Sequence, residues 1–209
     1  MKVRPLKIDE VNLVISDRGV SSVLACIVLK SLIGRKQVDF FWLSHGMCHL
    51  EEMTTLLGRK TRETVCVGFS PDDGQDVAAL VSMIAADAHR IGGICDVHGR
   101  SAWLRRIGTF AQLFLQPQNA DRYFTCPGRV LLNAFADQFE TYERELCDLS
   151  HHAAMGELRD FAQTISWIAP EDPSMDGRRT NLVNHFAFDH NPSPQISNWI
   201  QEARQRETA

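Results

Sequence analysis

The sequence lacks an apolar run approaching the roughly 20 residues of a membrane span, and it has no low-complexity tract and no internal repeat. Its start, MKVRPLKIDE, passes from charged residues straight into an apolar run, so no secretory signal pattern is expected. Glycine-rich phosphate loops, a Walker pattern, a dinucleotide fingerprint and a Ser-His-Asp order are also missing. There is no excess of positive charge. A formal charge of −4 gives no global attraction to nucleic acid or anionic membrane, which leaves only local basic patches for such ligands. Six cysteines are spread through expected strands and helices rather than framing loops, so reduced thiols in a cytoplasmic protein are expected. What remains is an ordinary globular composition, 44% apolar and 23% charged over 209 residues, long enough for one well-filled core.

Apolar runs at residues 11–15, 38–43, 65–69 and 93–97 alternate with helical patterns. The first helix starts near Ser21 or Ser22, either of which can cap it, and stops at Gly34. A short helix is expected at 49–57. A longer one carries Val77, Leu80, Val81, Ile84, Ala88 and Ile91 at helical spacing. This alternation predicts an α/β fold, a mostly parallel sheet with helices on both faces. After Arg100 the pattern turns helical, with the clearest segments at 129–147 and 151–168. Residues 170–180, PEDPSMDGRRT, read as a polar, flexible boundary. The expected division is therefore an α/β domain over 1–169, with a helical second half, and a short extension over 170–209. That extension ends in a helix opened by Ser193-Pro194 and is expected to dock on the main body, or on a partner, through Phe186, Phe188 and Trp199.

The four strand ends carry the chemistry. They deliver Asp17, then Ser44 and His45, then Ser70, Asp72 and Asp73, then Asp96 and His98, all to one edge of the sheet. Ligands bind at this edge in open parallel sheets. Carboxylates with some imidazole suit Mn²⁺ or Mg²⁺ and metal-assisted phosphoester hydrolysis. The competing explanation is that loops are polar and that Asp favours turns and helix starts. For Asp72 and Asp73 the two explanations weigh equally, whereas Asp96 and His98 directly end a strand. A Zn²⁺ site from His45, Cys48 and His49 with Cys95 and His98 is disfavoured, because alternation along the strand turns Cys95 away from its neighbour Asp96 and in a different direction from His98. Arg18, Arg100, Arg105 and Arg106 form a candidate phosphate-binding set, against the simpler account of a charged helix face.

The segment VISDRGVSSVLACIVL resembles the first motif of the DHH phosphoesterase superfamily, and GGICDVHG resembles its Asp-His-His motif. The likeness covers roughly residues 8–105, about half of the chain. It implies a parallel α/β domain with a two-Mn²⁺ site hydrolysing phosphodiesters, pyrophosphate, polyphosphate or short nucleic acids. On that likeness Asp96 and His98 are metal ligands, with His98 the catalytic candidate. The departures are as informative. The first motif's two aspartates fall on Ser16 and Arg18, its upstream His on Val14, its third-strand Asp near Gly68 or Ser70, and its middle His on Val97. The expected function is thus a degenerate, non-catalytic scaffold or a phosphate- or polyanion-binding subunit, using Arg18 and Arg100. The alternative is an Mn²⁺-dependent phosphoesterase with a rearranged set, Asp17, His45, Asp72, Asp96 and His98. Candidate partners are a phosphate-containing ligand, another protein or a second copy of the chain. Nucleic acid is left open, and a membrane is not expected.

Overall fold

A helix that is apolar on every side has to be buried on every side, and VSSVLACIVLKSLI is such a helix. The computed structural model of the chain describes residues 6–43, 63–69, 91–95, 103, 105, 126–157 and 173–189. In it this segment forms α1 (Val20–Ile33), buried at every residue from Ser22 to Lys30. On one side lies a sheet with, among the described residues, four strands, β1 (Val11–Asp17), β2 (Asp39–Leu43), β3 (Glu63–Val67) and β4 (Ile91–Cys95), all parallel and in the order β2-β1-β3-β4. Helices α2 (Pro127–Phe135), α3 (Thr141–Ala154) and α4 (Asp176–Phe186) pack against α1 as well. The chain is an α/β protein.

Strand β1 holds the centre, with Leu13, Val14, Ile15 and Ser16 all fully buried, as expected for a parallel strand covered on both faces. Register fixes which residue faces which layer. Val14, Ser16, Trp42, Val65, Val67 and Cys95 fall on one face by their pairing. All of these except Ser16 belong to the apolar cluster around α1. Leu13, Ile15, Phe41, Leu43, Cys66 and Ile94 fall on the opposite face and are buried too. The described helices lie on the α1 side of the sheet. The expected helices at 49–57 and 77–91 and the one opened by Ser193-Pro194 lie outside the described residues. Among the described residues no helix is long and apolar enough to cross a membrane.

Three expectations need correction. Neither Ser21 nor Ser22 caps α1; Gly19 is the N-cap residue, and its N–H donates to Asp17 Oδ1 at 2.8 Å. The Ser21 hydroxyl instead meets that of Ser150 on α3 at 2.9 Å. The helix expected at 129–147 is two helices. Between them a single 3₁₀ turn (Ala136–Gln138) leads into Phe139, which is extended and buried. Arg144 donates back across the break to the carbonyls of Phe139 and Ala136, satisfying groups that a continuous helix would have bonded internally. His151 and His152 consequently lie in the last turn of α3, not at a helix start.

The third correction concerns 170–180. Residues 173–175 form a 3₁₀ turn and α4 begins at Asp176, so part of the expected polar boundary is a docked helix start. An acidic residue in the first turn suits the positive end of the helix. Leu182, Val183 and Phe186 are buried, Tyr142 Oη donates to the Phe186 carbonyl at 3.2 Å, and Phe188 packs on the core. Trp199 lies outside the described residues. Trp42 Nε1 donates to Thr180 Oγ1 at 3.0 Å, tying α4 to β2.

Candidate functional site

Strand order locates the place to look. From β1 the chain moves outward to β2, then crosses back to β3 and continues to β4, so the direction reverses between β1 and β3. In open parallel sheets the crevice at such a reversal, outside the carboxyl ends of the strands, is the usual ligand position. Here it is framed by Asp17 at the end of β1, the start of α1, and Gly68 just past β3.

The frame is tight. Gly68 has φ +79°, and its N–H donates to the Cys95 carbonyl at 2.9 Å, which ties the end of β3 to β4. A Cβ at Gly68 would come within 2.0 Å of Ser22 Oγ and 2.8 Å of Asp17 Oδ2. The Asp17 carboxylate therefore spans from the Gly19 N–H to the Gly68 backbone, closing the β1–β3 gap over the first turn of α1. Ser16, where the first aspartate of the resembled motif would stand, is fully buried, and its hydroxyl donates to the Asp17 carbonyl at 3.0 Å. Beneath it burial pushes the Cys26 thiol up to about 12; a hydrogen bond with Ser16 opposes the shift and the Asp17 charge adds to it. A thiol held neutral in this way is core, not a nucleophile.

Arg18 goes a different way. It is 2% exposed, and its guanidinium grips Asp176 at the start of α4 in a two-pronged pair, Nε to Oδ1 at 2.9 Å and Nη2 to Oδ2 at 2.6 Å. Arg179, fully buried one turn along α4, donates to the same carboxylate. Arg18 Nη1 is buried with no hydrogen-bond partner among the described residues. Two buried guanidinium groups thus share one carboxylate, a cluster in which Asp176 is the hub. The fork geometry suits Arg far better than Lys.

Of the seven residues expected to form the site, Asp17 and Arg18 are described, and they diverge: Asp17 toward Gly68, Arg18 toward α4. His45, Asp72, Asp96, His98 and Arg100 lie outside the described residues, as do Ser44, Ser70, Asp73, Cys48, His49 and Arg106. Arg105 is exposed. Cys95, offered for a Zn²⁺ site, donates its thiol to the Pro127 carbonyl at 3.2 Å. Among the described residues Cys26, Cys66, Cys126 and Cys147 are buried thiols as well. Among the described residues no three His, Cys, Asp or Glu side chains gather closely enough to hold a metal ion.

Sequence reasoning missed Asp176, Arg179 and Thr180. The available signal was an isolated Asp followed by paired arginines in DGRR, a first-turn acid with a cation one turn on. Nothing local says that the acid's principal partner lies 158 positions away. Cys126 was also missed as the cap of α2, its sulfur accepting from Arg129 N–H at 3.3 Å with Pro127 opening the helix.

No family model matches the sequence, and no curated protein or solved structure matches it either. The fold defines the class, an α/β protein with a parallel 2-1-3-4 sheet.

Proposed function

We propose that this chain is a non-catalytic relative of the DHH phosphoesterases, a scaffold or binding subunit in which an arginine–carboxylate cluster stands in place of part of the metal site. One observation carries the reading. Arg18, at the position of a resembled metal-binding aspartate, is buried and clamped to Asp176 rather than turned aside into solvent. A fixed cation there opposes a dication nearby, and its charge is weakly screened because it is buried. Two-metal hydrolysis needs carboxylates that bridge the ions and a bound water of lowered pKa. Ser16 and Arg18 supply neither. The same geometry favours the scaffold over phosphate binding by Arg18 itself, since the fork is already spent on Asp176.

The test is hydrolysis of bis(para-nitrophenyl) phosphate by the full chain in millimolar Mn²⁺ or Mg²⁺. The expected outcome is no turnover above the metal-only background. Turnover that is lost on Asp96→Ala or His98→Ala would restore the alternative, a phosphoesterase with a rearranged ligand set.

A further inference from the structure

The far end of α1 carries a second feature that the strand-end site does not use. Where the helix stops at Gly34, a shallow groove of about 650 Å³ opens between the α1–β2 connection and the end of α4. Its described lining is led by Lys30, Arg35, Lys36, His185, Phe188 and Asp189. A volume of this size is in the range of small-ligand sites.

Its charges are the unusual part. Lys30 is 3% exposed, and its ammonium donates to the carbonyls of Gly34 and Lys36, each at 2.6 Å. It lies 4.9 Å from the centre of the Phe188 ring, and the Arg35 guanidinium lies 5.8 Å from the same ring. Lys36 donates to the Asp9 carbonyl at 3.0 Å. Three cations therefore converge on one groove, two of them against the Phe188 ring, and none of them makes an ion pair with a described residue. The one acidic residue named in the lining, Asp189, lies 3.4 Å from His185. Burying an ammonium without a carboxylate is costly, and burial does push the Lys30 ammonium below the ordinary lysine value. Carbonyl oxygens and a ring face offset part of that cost. They leave the positive charge of the group uncancelled, in a chain whose net charge is −4.

We propose that this groove binds a small polyanion carrying several phosphate groups. A phosphate brings close to two negative charges and several acceptor oxygens. Two or three of them fit a groove where a buried ammonium, a second, exposed one and a guanidinium fork stand side by side. A single carboxylate would answer one of the three cations. The site lies at the opposite end of α1 from Asp17 and Arg18, so it stands whether or not the strand-end reading does.

The experiment is calorimetric titration of the full chain with inositol hexakisphosphate at near-physiological salt. Saturable binding at one site is expected, weakened tenfold or more in Arg35→Gln/Lys36→Gln; both side chains are exposed, and the variant is checked for wild-type circular dichroism and melting. Asp189→Asn is expected to tighten binding by a few fold. Absence of saturable binding to the wild type overturns the proposal. So does equal affinity in the double variant, or a glutamate-rich peptide of matched charge that binds as tightly.

Discussion

Asp176→Asn is expected to lower the unfolding free energy by about 3 kcal/mol, the low end of the cost of breaking a buried ion pair from one side. The amide keeps the shape of the carboxylate and removes its charge. Arg18 and Arg179 are 2% and 0% exposed, so neither can turn to solvent without moving α4 or β1. Asp176 itself is 30% exposed, which is why the lower figure applies. The complementary change is milder. Arg18→Met leaves Asp176 with Arg179 and with water, and the thioether chain fills much of the same space, so a loss of about 1–2 kcal/mol is expected. Urea unfolding of both variants checks the ordering. If Arg18→Met proves the more damaging, Asp176 is not the hub.

Gly68→Ala attacks the other half of the strand-end frame. The backbone there lies at φ +79°, a conformation that costs an L side chain about 1 kcal/mol or more. The new methyl would also sit 2.0 Å from Ser22 Oγ, 3.0 Å from Ser22 Cβ and 2.8 Å from Asp17 Oδ2. Ser22 is buried on α1 and Asp17 is anchored on the Gly19 N–H, so a shift to relieve one overlap runs into the other. Forced repacking of this kind adds about 1–3 kcal/mol, for a total of about 2–4 kcal/mol. Adding Ser22→Ala to Gly68→Ala removes only the hydroxyl overlap, so the double variant should regain part of the loss and not all of it. Full recovery in chemical denaturation would mean that neither the backbone conformation nor Asp17 contributes.

The fold was legible where burial leaves a local trace. A parallel strand covered on both faces has to be largely apolar over its middle, and Leu13-Val14-Ile15 and Val65-Cys66-Val67 show it. A helix sandwiched between layers has to be apolar around its girth, and α1 shows that. The break after Phe135 was not legible, because Phe139 and Tyr142 continue a plausible helical stripe. What decides it is that Phe139 is extended and buried while Arg144 caps the carbonyls behind it. The cap of α1 was misplaced by two or three residues for a similar reason. A serine hydroxyl near a helix start is a good cap only if nothing better is offered, and Ser150 on α3 offers the Ser21 hydroxyl a partner.

The candidate site divides in the same way. Asp17 was legible as a strand-end acid, since the carboxyl edge follows from chain direction alone. The role of Arg18 was not, because a buried arginine has to find a carboxylate and the sequence holds 26 acidic residues. Tertiary packing selected one in a segment that reads as a linker. α4, which lies beyond residue 170, contributes both to the core and to the strand-end ion cluster.

On the function proposed above, Arg18 and Asp176 hold a place from which the metals are excluded. The most direct test is the electron paramagnetic resonance titration of Mn²⁺ into the full chain at near-physiological salt. The free-ion signal is expected to grow in proportion to added Mn²⁺, with no stoichiometric loss at micromolar metal. One or two equivalents of bound Mn²⁺, released on Asp17→Asn or Asp96→Ala, would contradict it.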